Sequence, residues 1–127
     1  MKHLKYIELK TGYSNNGPAW IALVETSKSG ETVYFEGKAL KKARGSGILG
    51  NFFDAETGDE YWISGVKKQA NNRLKSSISK IMLDMNAVEA LRTHIAPKSL
   101  NLNRYELVAL LPTDKTALHS IENEPLL

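Results

Sequence analysis

The chain has 127 residues, of which 42% are hydrophobic and 24% are charged, with a formal net charge of +3 and no cysteine. These values are typical of one globular domain, and they exclude disulfides and cysteine-ligated zinc or iron–sulfur sites. Because no apolar run approaches the roughly 18 residues that cross a bilayer, and the N-terminus lacks the apolar stretch of a signal peptide, we expect a soluble cytoplasmic protein with no membrane partner.

The first two-thirds of the sequence predicts strands and turns. Leu4–Leu9 has β-branched and aromatic residues and is followed by the turn residues TGYSNNGP. Ala19–Thr26 has apolar residues at both odd and even positions, which predicts a central strand that is buried on both faces. The loop SKSGE and the returning segment TVYFEG then predict a hairpin.

A second hairpin is predicted within GNFFDAETGDEYWISGV. Its strands are Phe52–Asp54 and Tyr61–Val66, and Thr57–Gly58 supplies the turn. One more strand is predicted from Ser79 to Leu83.

The hydrophobic period changes in the last third of the chain. Asn86 followed by Glu89 resembles a capping box, and apolar residues recur at helical spacing until Pro97, which predicts a helix over Ala87–Ile95. The segment RYELVALLP predicts a strand buried on both faces, and a second helix is predicted from Thr113 to about residue 121.

These elements predict an α+β fold. We expect a curved antiparallel sheet or small barrel of about five or six strands, with one or two C-terminal helices packed at one side. Residues 1–127 are expected to form a single domain, with a β-rich core over 1–84 and a helix–strand–helix extension over 85–127. The predicted core is Ile7, Leu9, Trp20, Ala22, Val24, Val33, Phe35, Phe53, Trp62, Ile81, Leu83, Val88, Leu91, Val108 and Leu110.

The segment GSGILG, with Gly45, Gly47 and Gly50, matches the dinucleotide pattern G-x-G-x-x-G. That pattern requires a helix directly after it, since the helix N-terminus holds the pyrophosphate. The residues NFFD that follow read as a strand, so we expect no dinucleotide. We expect instead a flexible inter-strand loop flanked by Lys41, Lys42 and Arg44. Two interpretations stay open: a site that receives a phosphate or carboxylate, or a tight connection that needs glycine.

No pattern in the sequence indicates catalysis, a metal or a cofactor. The acids of DAETGDE lack EF-hand spacing and read as a polar hairpin tip. His3, His94 and His119 are widely separated, and no serine lies in G-x-S-x-G. We therefore expect a protein that is not an enzyme and that has no metal, cofactor or catalytic residues.

Charge and aromatic residues concentrate between residues 38 and 80. This segment has nine Lys or Arg and four acids, which favours an acidic partner. Aromatic residues interleave with these cations, as in small barrels that stack single-stranded nucleic acid. We expect at least four of the six to be core. The six are Tyr34, Phe35, Phe52, Phe53, Tyr61 and Trp62.

Two segments, GPAWI at Gly17–Ile21 and TGDEYWISGVKK at Thr57–Lys68, resemble a family of small bacterial proteins of unassigned function. The resemblance covers residues 6–84. Some members are labelled deoxyxylulose-phosphate synthase, but a chain of this length cannot house that enzyme, so the resemblance implies no activity. The family pattern continues after SGVKK with an Arg-His-Trp-like segment, whereas here Leu74 and Lys75 follow Arg73.

The leading hypothesis is a non-catalytic protein-binding protein, most concretely a small bacterial immunity or antitoxin protein that neutralises a toxin domain by direct contact. Exposed aromatics such as Tyr34 or Tyr61 would add to a basic contact surface. The predicted partner-binding residues are Lys41, Lys42, Arg44, Tyr61, Lys67 and Lys68. One alternative is a small β-domain that binds nucleic acid through the same basic surface, and another is an uncharacterised enzyme.

Overall fold

The computed structural model describes residues 2–10, 17–43, 50–68, 80–95, 101–111 and 113. These residues contain eight strands, one short α-helix and two 3₁₀ turns. The strands are β1 (Lys2–Leu9), β2 (Ala19–Thr26), β3 (Thr32–Phe35), β4 (Lys38–Lys42), β5 (Phe52–Asp54), β6 (Glu60–Gly65), β7 (Ile81–Asp84) and β8 (Tyr105–Val108). The helix α1 is Val88–His94, and the 3₁₀ turns are Met85–Ala87 and Leu102–Arg104.

Six strands close into an antiparallel barrel. Their order is β1-β6-β5-β4-β3-β2, and a further pairing of β1 with β2 joins the two ends of this series. Ile7 of β1 shows the closure, because it lies opposite Trp20 on one side and Ile63 on the other. Closure leaves these six strands without a continuous free edge. The predicted small barrel is confirmed.

Strands β7 and β8 extend the sheet beyond the barrel. On one side of β2, Glu25 and Thr26 pair with β3, while Trp20 and Ile21 pair with β7. Both added pairings, β2–β7 and β7–β8, are parallel. The prediction of an antiparallel sheet therefore holds for the barrel and is wrong for this two-strand extension.

The barrel interior is filled by apolar side chains from alternating strand positions. Trp20 and Phe35 meet there edge to face, with ring centroids 5.3 Å apart. The buried residues of this inner cluster are Ile7, Ala22, Val24, Val33, Phe35, Leu40, Phe52, Tyr61 and Ile63. Leu9, Trp20 and Leu110 pack against it.

A second apolar cluster lies on the outer face of β1 and β2. Ile21 faces this outer cluster, whereas its neighbour Ala22 faces the barrel interior. Leu91 of α1 and Leu83 of β7 complete the packing over this face. The strand Ala19–Thr26 is therefore buried on both faces, as its sequence predicts.

Helix α1 confirms the predicted helix over Ala87–Ile95, but its start differs. The predicted cap at Asn86 is wrong, because Asp84 Oδ1 accepts a hydrogen bond from the Asn86 backbone N–H at 3.2 Å and so caps the 3₁₀ turn. Ala87 then precedes α1 without a side-chain cap. The second predicted helix lies outside the described residues, apart from Thr113 at its predicted start.

Strand β4 differs from the prediction, in which Lys41 and Lys42 flank a flexible loop. The turn Glu36–Gly37 has positive φ at both residues, 46° and 73°. A two-residue turn of this kind returns the chain directly along β3, so the lysines enter the sheet.

The predicted strand RYELVALLP ends earlier than expected. Strand β8 stops at Val108, and Leu107 is 62% exposed. The prediction of burial on both faces is wrong because β8 pairs only with β7 within the described sheet. None of the helices in the described ranges has the length and apolar character that crossing a membrane requires.

A candidate binding surface at the basic end of the barrel

The antiparallel barrel collects positive charge at one end. At this end β1, β3 and β5 begin and β2, β4 and β6 finish, as the pairs Lys2–Glu25 and Lys42–Phe52 show. We call it the basic end and define it by Lys2, Lys5, Lys28, Lys41, Lys42, Lys67 and Lys68. Among described residues, the acids on the same strand ends and loops are Glu25 and Glu31.

Negative charge collects at the opposite end, where the tips of the β3–β4 and β5–β6 hairpins lie. We call it the acidic end and define it by Glu36, Asp54, Glu56 and Asp59. Glu60 lies between the two ends, in one cross-strand row with Phe53 and Lys41. Lys10, one of the cations nearby, is held in an ion pair of 2.7 Å with Glu8. The sequence between residues 38 and 80 therefore does not form one basic region, since Lys41, Lys42, Lys67 and Lys68 lie at the basic end, whereas Lys38 lies at the acidic end with Asp54, Glu56 and Asp59.

The last glycine of GSGILG has a structural role at the basic end. A Cβ atom on Gly50 would lie 2.3 Å from the Tyr61 carbonyl oxygen, so only glycine allows β6 to approach this closely. The Gly50 N–H donates to Glu60 Oε1 at 3.1 Å. Strand β5 follows at Phe52 where a dinucleotide fold would have a helix. Gly45 and Gly47 lie outside the described residues.

Asn51 ties the start of β5 to β6. Its side-chain amide donates to the Ile63 carbonyl at 2.7 Å, and its side-chain oxygen accepts from the Ile63 N–H at 2.7 Å. These two side-chain hydrogen bonds take the place of backbone hydrogen bonds between β5 and β6, at the point where the chain enters the sheet. Together with Gly50, Asn51 fixes the position of the strand that adjoins Lys42.

Four of the predicted partner-binding residues lie at the basic end. Lys42, Lys67 and Lys68 are exposed, and Lys41 is half-buried on the outer face of β4. The segment with Lys67 and Lys68 is positioned by Val66, whose side chain is buried in the outer cluster and whose carbonyl is hydrogen-bonded to the His94 imidazole. Arg44 lies outside the described residues.

The two tyrosines expected as exposed contacts are buried. Tyr61 is 3% exposed in the barrel interior, and Tyr34 is 5% exposed. Burial, together with the negative charges of Asp54, Asp59 and Glu36, raises the pKa of Tyr61 to about 12. The prediction that Tyr61 offers a contact surface is wrong, because strand alternation turns its side chain inward beside Phe52.

Trp62 is the aromatic residue that the sequence analysis missed. The prediction that Trp62 belongs to the core is wrong, because this residue is 43% exposed on the outer face of β6. The signal was present in the sequence, since Tyr61 and Ile63 face inward and the residue between them must face outward. Phe53 of the neighbouring strand is half-buried on the same outer face, beside Lys41.

The aromatic prediction is otherwise confirmed. Tyr34, Phe35, Phe52 and Tyr61 are buried, which makes four of the six interleaved aromatics core residues. Phe53 and Trp62 remain available for contact beside the basic end.

Within the described ranges, His, Asp and Glu side chains form no group of three or more that could hold a metal ion. No protein-family model, curated protein or solved structure matches this chain. The resemblance to a family of small bacterial proteins therefore stays a prediction.

Proposed function

We propose that this is a non-catalytic cytoplasmic protein that binds an acidic face of another protein through its basic end. The most concrete form of this proposal is a small bacterial immunity or antitoxin protein that neutralises a toxin domain by direct contact. The observation that carries it is the separation of charge along the barrel, with lysines at one end and acids at the other.

Two further observations support a macromolecular partner. The side chains of the inner cluster fill the barrel, so a partner would contact the outer surface of the protein. Lys42 and Lys68 are exposed and form no ion pair with any described residue, so their charge is available to a partner. A concentrated positive end steers an acidic partner and accelerates its association.

Trp62 supplies the apolar anchor that such an interface needs. Tryptophan is among the residues that contribute most to protein–protein binding when a partner buries them. Its exposed ring lies on the strand that leads directly to Lys67 and Lys68. The combination of one exposed tryptophan on β6 with the lysines that follow this strand favours a partner with an acidic rim and an apolar pocket.

The test is affinity purification of the tagged full chain from its own host cells, followed by identification and purification of the retained protein. The charge-reversal variant Lys42→Glu/Lys67→Glu/Lys68→Glu should weaken binding of that protein by at least about a hundredfold, since each close charge pair contributes about 1.5 kcal/mol or more. Its melting temperature should stay within a few degrees of the wild type, because exposed lysines contribute little to stability.

The matched control is Lys38→Glu/Lys80→Glu/Arg92→Glu, which reverses the same number of cations outside the set that defines the basic end. We expect it to bind the partner nearly as well as the wild type. Equal loss in both variants would show that net charge alone governs binding and would contradict a localised interface.

Single-stranded nucleic acid is the second candidate partner. Trp62 and Phe53 share an outer face with Lys41, and aromatic side chains beside cations are what base stacking uses. Binding of a labelled oligonucleotide should then fall log-linearly with salt, and Trp62→Ala should weaken it by roughly 1–3 kcal/mol. A steep salt slope with an oligonucleotide, together with no retained protein, would replace the leading proposal with this one.

A further inference from the structure

The sheet divides along β2, and a groove opens at the division. The pairing with β3 ends at Glu25, and the pairing with β7 ends at Ile21. Ala22–Val24 therefore has no ladder partner on that side, while its other side pairs with β1. A cavity of about 250 Å³ lies there, between the barrel and the segment that follows β8.

The segment after β8 forms one wall of this groove. Leu110 packs against the inner cluster, and Thr113 Oγ1 accepts a hydrogen bond from the Gly37 N–H at 2.8 Å. That bond joins the wall to the β3–β4 turn, whose Glu36 also lines the groove. The groove is thus held by contacts from three separate parts of the chain.

Carboxylates dominate the charge of the groove. Glu25, Glu36 and Asp84 line it, with Lys2 as the cation among its lining residues. Asp84 is 6% exposed, and its Oδ1 accepts from the Asn86 N–H. Its second oxygen accepts no hydrogen bond from the described part of the chain. A buried carboxylate with one hydrogen bond is destabilising unless another donor reaches it, which indicates a place for a donor from outside the chain.

The free side of β2 adds backbone groups to the site. Along an antiparallel strand, successive residues direct their N–H and C=O groups to opposite neighbours. At least one residue of Ala22–Val24 therefore points these groups toward the groove. Ala22 and Val24 are buried, so a ligand that reaches them satisfies backbone groups that lack a ladder partner.

We propose that this groove binds a small ligand that carries an ammonium or guanidinium group, with Asp84 as its principal acceptor and Glu25 and Glu36 as supporting charges. A metal ion fits less well, because no described group of three His, Asp or Glu side chains is arranged to hold one. The volume suits a single short cationic chain. The groove adjoins the basic end at Lys2 and Glu25, whereas its principal acceptor Asp84 lies outside the protein-binding surface proposed there.

Titration calorimetry on the full chain tests this site with three probes: putrescine, free arginine and the peptide Gly-Arg-Gly. Saturable binding of at least one probe is expected. Asp84→Asn should weaken it by at least about tenfold, because it removes a charge-assisted hydrogen bond. Asparagine also caps helical turns well, so this variant should keep the 3₁₀ turn after β7.

Lys2→Ala gives the sharpest readout, because it removes the cation that competes with the ligand. It should strengthen binding of a cationic probe, whereas an anion site would be weakened by the same change. Glu56→Gln, at the hairpin tip, is the matched control and should leave affinity unchanged. If Asp84→Asn fails to fold, Glu36→Gln takes its place with an expected loss of about threefold or more.

Preference for the peptide over putrescine would identify a protein side chain as the natural source of the cation, and the reverse would identify a free amine. Either result supports the site. The proposal would be overturned if no probe bound saturably, or if Lys2→Ala weakened binding. Equal affinities for the wild type and both carboxylate variants would overturn it as well.

Discussion

The two ends of the barrel use charged residues in different ways. At the acidic end, Asp54 is 3% exposed and organises the β5–β6 turn, since its Oδ1 accepts from the Glu56 N–H and its carbonyl from the Gly58 N–H, both at 2.8 Å. At the basic end, the chain is held by Gly50 and Asn51, while lysines such as Lys42 extend into solvent.

This difference separates stability from binding. A charge that builds a turn cannot be removed without cost to the fold, whereas an exposed lysine can be replaced freely. The basic end therefore offers lysine charge that is available for recognition, on a frame fixed by the close approach at Gly50 and the Asn51–Ile63 hydrogen bonds. The following substitutions test that division.

The largest effect is expected from Gly50→Ala. The new Cβ would collide with the backbone of Tyr61, so β5 and β6 must move apart, at a cost of about 3 kcal/mol in the free energy of unfolding. Gly65→Ala is the matched control at the same end, because its Cβ would meet no atom within 4 Å. Chemical denaturation of both variants measures the difference. Similar stabilities would show that the two strands are not held as closely as the structure has them.

Asn51→Ala should cause the next largest loss in the free energy of unfolding. It leaves the N–H and C=O of Ile63 without the Asn51 side chain, which should cost about 2 kcal/mol. Asn86→Ala, whose side chain is exposed, should change the free energy of unfolding by less than about 0.5 kcal/mol. Denaturation midpoints compare the two. Loss of stability in both would mean that asparagine content, and not the Asn51 pairing, is responsible.

A pH-dependent effect is expected at the acidic end. The pKa of Tyr61 is raised from 10.0 to about 12, so the folded state holds its proton more tightly than the unfolded chain does. The free energy of unfolding should therefore be insensitive to Tyr61 below pH 10 and should fall as the pH rises toward 12. Urea titrations between pH 9 and 12 on the wild type and Tyr61→Phe measure this. The variant should show the shallower fall, and parallel curves would contradict the shift.

The smallest effect is a gain in stability at the β3–β4 turn. Glu36 has a φ of 46°, which asparagine tolerates better than glutamate, so Glu36→Asn should stabilise the fold by about 1 kcal/mol. Glu36→Gln keeps the unfavourable conformation and removes the same charge. If thermal unfolding shows an equal gain for both variants, the repulsion among Glu36, Asp54 and Asp59 is the cause and the backbone conformation is not.

Local patterns predicted most of the strands. The bounds of β2 and β5 agree with the sequence analysis, because apolar alternation and flanking turn residues mark them clearly. Strand β4 was missed because its residues KALKK have as many lysines as apolar residues. Its pairing depends on the turn at Glu36–Gly37, where glutamate stands in a position that usually has asparagine or glycine.

The candidate site was predictable only in part. Its lysines were identified from charge, and four of them lie at one end of the barrel. Tyr61 is predicted at the surface but is buried, and Trp62 is predicted in the core but is exposed. The sequence could not decide between them, because either residue of an aromatic pair can face inward. The strands that pair with β6 decide which of its side chains point into the barrel. Here Phe52 lies opposite Tyr61, and Glu8 lies opposite Trp62.

By itself, the sequence determined the strand-rich fold, the helix α1 that follows β7, and the strand that takes the place of a helix behind the glycine motif. The tertiary structure alone decided the closure of β1 on β2, the sorting of charge to two ends, and the groove where β2 changes partners. The physical reason is that alternation and turn preference act over a few residues, whereas strand pairing joins segments that are distant along the chain. Charged residues of one sequence segment, such as Lys42 and Asp54, thus lie at opposite ends of the barrel.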